Sequence, residues 1–141
     1  MIVYKDAQLD SSHTFHAVFT EVKAGHTVAY YGTHQAWFPN TVVVKDSANH
    51  EYSRKTVTGS HAEEVDHKIF QMANPTLAFD VTFDARCRLI KYCIISEDIH
   101  TEDQSRVVGR HYSYCFEDST DDDYNDLVLS FTICFKGMEL S

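Results

Sequence analysis

The sequence predicts an all-β protein, folded as a single antiparallel β-sandwich domain over residues 1–141. Hydrophobic and polar residues alternate through much of the chain, which is the pattern of strands that have one buried and one exposed face. No stretch shows a convincing repeat of 3.6 residues, so helices are not expected to dominate. The chain is 43% hydrophobic, and its 141 residues suffice for one substantial core but not comfortably for two.

The alternation is clearest in two segments. Hydrophobic residues occupy every second position from Leu77 to Phe83 and again from Leu127 to Phe135. Shorter segments with the same pattern fill most of the remaining chain, and ten or so short strands are typical of an antiparallel sandwich. Strands are predicted, in chain order, at 2–5, 15–19, 26–31, 41–45, 50–58, 64–71, 77–83, 87–95, 112–116 and 127–135.

Turn-forming residues mark the boundaries between these strands. Ala24-Gly25 separates two of them, and Asn74-Pro75 precedes the strand that begins at Leu77. The segment 62–72 is the best alternative location for a helix. The segment 96–106 is predicted to be the longest polar connection.

The most informative segment is acidic. Six carboxylates lie within the ten residues between Phe116 and Leu127, with no lysine or arginine among them. The formal net charge of the chain is −9, so this one segment accounts for most of it. Two carboxylates about 4 Å apart repel by roughly 4 kcal/mol at an effective dielectric constant of about 20. Either a bound cation compensates this repulsion or the segment is a solvated acidic turn.

Calcium is the predicted ion. The segment connects two strands, and a hairpin connection of ten residues is longer than the usual two to five or so. Asp121-x-Asp123-x-Asn125 resembles the opening of a calcium loop, but Asp126 stands where a helix-loop-helix site needs glycine. The available donors are oxygens, which disfavours zinc and copper, and they outnumber the carboxylates that magnesium usually takes.

A resemblance extends this prediction. Phe116-Glu117-Asp118 followed by Asp123-Tyr124-Asn125-Asp126-Leu127-Val128 resembles the signature that closes a family of calcium-binding β-sandwich domains. Domains of that family occur in secreted and cell-surface bacterial proteins. The resemblance covers roughly fifteen residues and implies a secreted or cell-surface location, although the chain shows no signal peptide.

The same segment is similar to the calcium loop of the PA-I-type galactose-binding lectins, which suggests a jelly-roll or galactose-lectin-like sandwich. Their ligand spacing is matched by Asp118, Asp122, Asn125 and Asp126, although the last of these is asparagine in the lectins. A stretch of theirs in which a tyrosine carbonyl binds the ion is matched by Tyr31-Gly32-Thr33-His34-Gln35-Ala36-Trp37. Their sugar-contacting His-Pro-x-x-Gln stretch has no match here.

The resemblance implies where a sugar would bind. Two vicinal hydroxyls would replace water in the calcium shell, with Asp118 and Asn125 hydrogen-bonded to them. Tyr31, Gln35 and Trp37 would complete the carbohydrate site, with an aromatic ring stacked on the sugar. For Trp37, the only tryptophan of the chain, a plain core role is equally open.

These observations together predict a calcium-dependent carbohydrate-binding protein that is not an enzyme. Its expected ligands are Ca²⁺ and carbohydrate, with galactose-type glycans implied by the resemblance, and its expected assembly is a homo-oligomer. Nucleic-acid binding is not expected, because the chain lacks the lysine and arginine surface that phosphates require, and no apolar run is long enough for membrane insertion. Two alternatives stay open: an adhesion or assembly module with purely structural calcium, and a small hydrolase or toxin component.

The four cysteines, Cys87, Cys93, Cys115 and Cys134, match no zinc-binding template, because no C-x-x-C pair occurs. Free thiols within strands are the favoured interpretation. A disulfide between Cys115 and Cys134, which flank the acidic segment, is the alternative.

Overall fold

A computed structural model describes residues 1–36, 38–59, 61–117 and 126–135. Within those ranges the chain forms ten strands and no helix, which confirms the all-β class. The described residues therefore contain no helix with the length and apolar character needed to cross a membrane. The strands are β1 (Ile2–Gln8), β2 (Thr14–Phe19), β3 (Thr27–His34), β4 (Asn40–Asp46), β5 (Glu51–Val57), β6 (Glu63–Gln71), β7 (Leu77–Thr82), β8 (Leu89–His100), β9 (Val107–Glu117) and β10 (Leu127–Cys134).

The strands form two antiparallel sheets. The larger has the order β1-β8-β9-β10-β3-β6, and the smaller has the order β2-β7-β4-β5. One hydrophobic core, with residues from both sheets, lies between them. The predicted antiparallel β-sandwich is therefore confirmed.

Aromatic side chains dominate this core. Phe79 of the smaller sheet stacks on Phe131 of the larger at 5.5 Å between ring centroids. Phe15 meets Phe116 edge to face at 5.1 Å across the same interface. All four follow the period-two pattern of their strands, so the alternation in the sequence is the direct cause of the packing.

The strand predicted at 64–71 is confirmed as β6, which excludes the helix alternative, whereas the boundaries predicted for the polar connection were wrong. The segment 62–72 contains strand β6, not a helix. Its alternation is weak because β6 is an edge strand, where Ile69 is 80% exposed. The polar connection predicted at 96–106 is shorter, because β8 runs on to His100 and β9 begins at Val107. Arg110 and Asp98 form a cross-strand ion pair in this extension, with 2.6 Å between Nε and Oδ1.

The strand register also excludes the predicted alternative of a Cys115–Cys134 disulfide. Cys115 lies opposite Val128 on β10, whereas Cys134 lies six residues further along that strand, opposite Gly109. Six residues of strand span roughly 20 Å. The two thiols are free, like the other two.

A buried carboxylate organises the turn between β4 and β5. Asp46 accepts hydrogen bonds from Tyr52 Oη at 2.6 Å, Asn74 Nδ2 at 3.1 Å, and the amides of Ala48 and His50. Burial raises the pKa of the Asp46 carboxyl, but these four donors lower it by more, so its pKa lies below the ordinary value.

Candidate functional site

Several connections gather at one end of the sandwich. The amide of Phe83 after β7 donates to the carbonyl of His13 before β2 at 2.8 Å. The guanidinium of Arg86 lies 4.2 Å from the centre of the Phe38 ring, in the connection between β3 and β4. The acidic segment between β9 and β10 leaves the larger sheet at this same end, because β10 begins opposite the last residue of β3.

The stem of the acidic segment consists of two buried carboxylates. The β9–β10 ladder ends with the pair Phe116–Leu127, and Glu117 and Asp126 are the residues that come directly after this pair toward the acidic segment. Glu117 is 1% exposed and Asp126 is 7% exposed. Two like charges therefore lie at the same end of the ladder, in a poorly solvated position.

The neighbouring strands continue this row on both sides. Lys91 of β8 lies opposite Glu117, and it supplies a positive charge next to the pair. On the other side, the amide of Gln35 donates to the carbonyl of Asp126 at 2.8 Å. The sheet therefore fixes the backbone of the stem on both strands and places one lysine against two acids.

The predicted site residues divide into two groups. Asp118, Asp122, Asn125 and Trp37 lie outside the described residues, so their predicted roles stay predictions. Asp126, Tyr31 and Gln35 are described. Asp126 lies at the stem, and the exposed Gln35 follows the end of β3 and contacts it as above.

Tyr31 lies away from the stem. It occupies the middle of β3, between Ser130 of β10 and His67 of β6. Ser130 is four residues from Asp126, which is roughly 13 Å along a strand. Because residues 126, 128 and 130 of β10 alternate in phase, Tyr31 and the stem share the outer face of the larger sheet.

The Tyr31 ring, 49% exposed, borders a hollow of about 570 Å³ on that face. The small side chain of Ala29 leaves room for the hollow between Tyr31, Ile69 and Thr132, which stand beside or opposite it in the sheet. Apolar carbon and polar groups thus line the same depression. The remaining lining residues are Tyr30, His67, Lys68, His111 and Ser130.

Hydrogen bonds hold the polar wall of the hollow in place. His111 bonds through Nδ1 to Thr132 Oγ1 and through Nε2 to Ser113 Oγ, each at 2.9 Å. Ser113 Oγ and Ser130 Oγ are 3.0 Å apart. The hydroxyl groups are therefore ordered before any ligand arrives, which lowers the entropic cost of binding.

Two further buried polar side chains lie behind the end of β3. His34 is fully buried, with its Nε2 3.1 Å from the Phe38 carbonyl and its Nδ1 3.6 Å from Glu63 Oε1. The side-chain nitrogen and oxygen of Asn40 are buried with no hydrogen-bond partner among the described residues. Both residues support the connection that contains Trp37.

Glu117 is the residue that the sequence-based ligand set omitted. The resemblance gave Glu117 no ligand role, although Glu117 lies within the signature stretch Phe116-Glu117-Asp118. Alternation along the strands shows only that Glu117 and Asp126 follow inward-pointing residues, and their proximity depends on the β9–β10 register. In the described parts of the chain, no group of three or more histidine, cysteine or acidic side chains is arranged to hold a metal ion.

Comparison with known proteins identifies the fold. No protein-family model matches this chain, and no curated protein matches its sequence. Solved structures do match. The C-terminal domain of the BC2L-C lectin from Burkholderia cenocepacia has a TM-score of 0.63 at 16% identity, over 84% of this chain and 96% of that one.

Two other bacterial lectins are similar. The high-affinity mannose-binding lectin of Ralstonia solanacearum has a TM-score of 0.58 at 17% identity, over 82% of this chain and 93% of that one. The lectin CV2L of Chromobacterium violaceum, in complex with α-methyl-fucoside, has a TM-score of 0.54 at 16% identity, with the same coverage. The chain therefore has the fold of these lectins, in agreement with the predicted lectin-like sandwich.

Proposed function

We propose that the protein binds carbohydrate through a calcium ion held by the acidic segment between β9 and β10. The observation that carries the proposal is the stem, where Glu117 and Asp126 are both buried directly beyond the last pair of the β9–β10 ladder. Two buried acids at the base of a segment with four further carboxylates concentrate negative charge, which a divalent cation would neutralise. The lectin fold of the solved structures supports the sugar-binding part of the proposal.

The chemistry of the donors fits calcium. Carboxylate and amide oxygens are hard ligands, and Ca²⁺ takes six to eight of them in flexible geometry. Asp126 and Glu117 would contribute from the stem, and Asp118, Asp122 and Asn125 are the predicted ligands from the segment itself. The Tyr31 carbonyl, predicted as a further ligand, lies in the middle of β3 roughly 13 Å from Asp126, so it is too far away to share an ion with the stem and is left out of this ligand set.

The bound ion would supply coordination positions that two neighbouring sugar hydroxyls can occupy in place of water. The protein's own part is to fix the stem, through the Gln35–Asp126 backbone hydrogen bond and the β9–β10 pairing. No bond of the ligand is broken or formed, so the proposed activity is binding rather than catalysis.

The hollow beside Tyr31 would serve a longer ligand. It lies roughly 13 Å from Asp126 on the same face, so a second or third sugar unit of a bound oligosaccharide would reach it. The Tyr31 ring offers an apolar platform, and the ordered hydroxyls of Ser130 and Thr132 offer hydrogen bonds. Tyr31→Ala should therefore weaken oligosaccharide binding more than monosaccharide binding.

Calorimetric titration with methyl glycosides of galactose, mannose and fucose, in calcium and in EDTA, tests the proposal. Galactose is the sugar that the sequence resemblance implies, whereas mannose and fucose are named for the lectins of similar fold. Binding in calcium that EDTA abolishes is the expected result. A protein that binds none of these sugars, and no glycan of a broad array, would contradict the carbohydrate part.

The ion itself is tested separately by thermal unfolding. Asp118→Ala and Asp126→Asn should each abolish the rise in melting temperature that calcium gives the wild-type protein. Glu102→Gln is the matched control, because Glu102 is exposed in the β8–β9 connection, roughly 30 Å along β8 from the stem. If both acidic variants keep the full wild-type shift, the ion is not held by this segment.

A second candidate function, an assembly module with structural calcium, is favoured by the edge strand β1. Ile2 and Tyr4 are exposed on one face of this strand and Val3 on the other, and only β8 pairs with it among the described strands. Apolar edge strands are templates for pairing with another chain, and a second copy would form the expected homo-oligomer. This function would be favoured if calcium stabilised the protein and Tyr4→Lys disrupted a dimer, while the protein showed no affinity for sugars.

A further inference from the structure

Two cysteines of the larger sheet lie directly opposite each other. Cys93 of β8 pairs with Cys115 of β9. Their neighbours Tyr92 and Tyr114 point into the core, so both thiols lie on the outer face of the sheet. The two thiols also hydrogen-bond to each other.

The backbone already has the separation that a disulfide requires. Directly opposed residues of antiparallel strands have Cα atoms about 4.5 or 5.5 Å apart, depending on the type of pair. Disulfides span Cα separations of about 4.4–6.8 Å. Neither strand would have to move for the sulfurs to be joined.

We propose that Cys93 and Cys115 form a reversible dithiol–disulfide site that reacts with small disulfides such as oxidised glutathione. The proposal does not depend on calcium or on sugar binding. The two residues differ in access, since Cys93 is 5% exposed and Cys115 is only partly buried. Cys115 is therefore the thiol that meets the oxidant, and Cys93 is the thiol that resolves the intermediate.

The exchange is balanced in two steps. Cys115 loses its proton to solvent, and its thiolate attacks one sulfur of oxidised glutathione, which breaks that S–S bond and releases one glutathione thiolate. Cys93 then loses its proton and attacks the Cys115 sulfur of the mixed disulfide, which releases the second glutathione. The protein loses two protons and two electrons, and one glutathione disulfide takes up both to become two thiols.

The surroundings of the two thiols are partly apolar and partly charged. Burial, and then the neighbouring Cys93 thiol, raise the pKa of Cys115 to about 12. On the same face, Lys91 and Glu117 lie two residues away along β8 and β9, and Tyr4 of β1 lies opposite Cys93.

The experiment uses the folded, full-length protein with oxidised glutathione at pH 8.5. Thiols are counted after denaturation, and the non-reduced protein is digested with trypsin and a glutamate-specific protease. Cleavage after Glu117 separates Cys115 from Cys134, which tryptic digestion alone leaves in one peptide. The expected result is peptide 92–97 joined to peptide 111–117, with recovery of both thiols by dithiothreitol, while the exposed Cys134 takes up glutathione as a mixed disulfide.

Single variants distinguish the roles of the two thiols. Cys93→Ser should retain glutathione on Cys115 as a stable mixed disulfide. In Cys115→Ser, the thiol of Cys93 should stay reduced, because the thiol that reacts first with glutathione is missing. Cys134→Ser is the matched control and should form the same cross-link as the wild-type protein. The wild-type peptide map is decisive even if a variant does not fold: Cys93 and Cys115 left unlinked after prolonged oxidation, or cross-links that involve Cys134 or Cys87 instead, would overturn the proposal.

Discussion

Removing one stem carboxylate should raise the free energy of unfolding in the absence of calcium and lower it in the presence of calcium. The change is Glu117→Gln, which keeps the size of a side chain that is only 1% exposed and removes its charge. In EDTA, the wild-type protein carries the repulsion between Glu117 and Asp126, and the variant does not. In calcium, the wild-type protein gains the binding energy of the ion, and the variant gains less of it.

The magnitude follows from the register. Two charges about 5 Å apart at an effective dielectric constant of about 20 repel by about 3 kcal/mol. Lys91, opposite Glu117, offsets part of this, so the variant should be more stable than the wild type in EDTA by about 1–2 kcal/mol. Calcium at one hundred times its dissociation constant stabilises a protein that binds it by about 2.7 kcal/mol, and the variant should lose most of that gain.

Urea unfolding in EDTA and in millimolar calcium measures both free energies of unfolding. Glu102→Gln, the same chemical change at an exposed site, should alter neither by more than about 0.5 kcal/mol. A Glu117→Gln variant that is destabilised equally in EDTA and in calcium would refute the reasoning. Glu117 would then serve as a structural hydrogen-bond partner rather than as half of an ion site.

Three further changes test the fold itself. Phe79→Ala should lower the free energy of unfolding by about 3–5 kcal/mol because Phe79 is fully buried, whereas Val18→Ala at an exposed position should cost less than about 1 kcal/mol by urea denaturation. Gly109→Ala should cost about 1–3 kcal/mol by the same measurement, because its Cβ would lie 2.4 Å from the Ile133 carbonyl oxygen. Asp46→Ala should lower the free energy of unfolding by about 1–3 kcal/mol at pH 7, because its hydrogen-bond donors lose a buried acceptor. The folded state lowers the pKa of Asp46, so this contribution is present above the ordinary pKa of about 3.9 and is lost as the pH falls through the lowered value. In acid unfolding, the stabilities of the wild type and the variant should therefore converge.

The sequence predicted the strands because burial alone dictates their pattern. Phe79, Phe131 and their neighbours alternate with polar residues, and each predicted strand corresponds to an observed one. The helix alternative at 62–72 and the wrong boundaries of the polar connection both concern segments where burial is one-sided or absent. Edge strand β6 exposes Ile69, and the far half of β8 is polar and paired through ions such as Arg110–Asp98. Hydrophobic periodicity carries no information about strands that are held by backbone pairing and charge.

The candidate site was only partly accessible to sequence reasoning, for a different reason. The acidic residues are contiguous in the sequence, so the segment itself could be identified from the sequence alone. Which of its acids are buried depends on the register of two strands, and the register depends on the core. The pairing of Phe116 with Leu127 brings Glu117 and Asp126 to the same end of the β9–β10 ladder. The row from Lys91 to Gln35 also requires β8 and β3, which lie far away in the sequence.

The same register couples the core to the proposed ion site. Phe116 and Leu127 are fully buried, and their pairing is the last step of the β9–β10 ladder before the stem. A slip of one residue would turn Glu117 and Asp126 away from each other and would expose both core side chains. The hydrophobic energy of the core therefore opposes the repulsion between the two acids and holds them together in the absence of an ion. A preformed pair of this kind binds a cation without the cost of assembling its ligands, so calcium should stabilise the stem while leaving the register of the sheet unchanged.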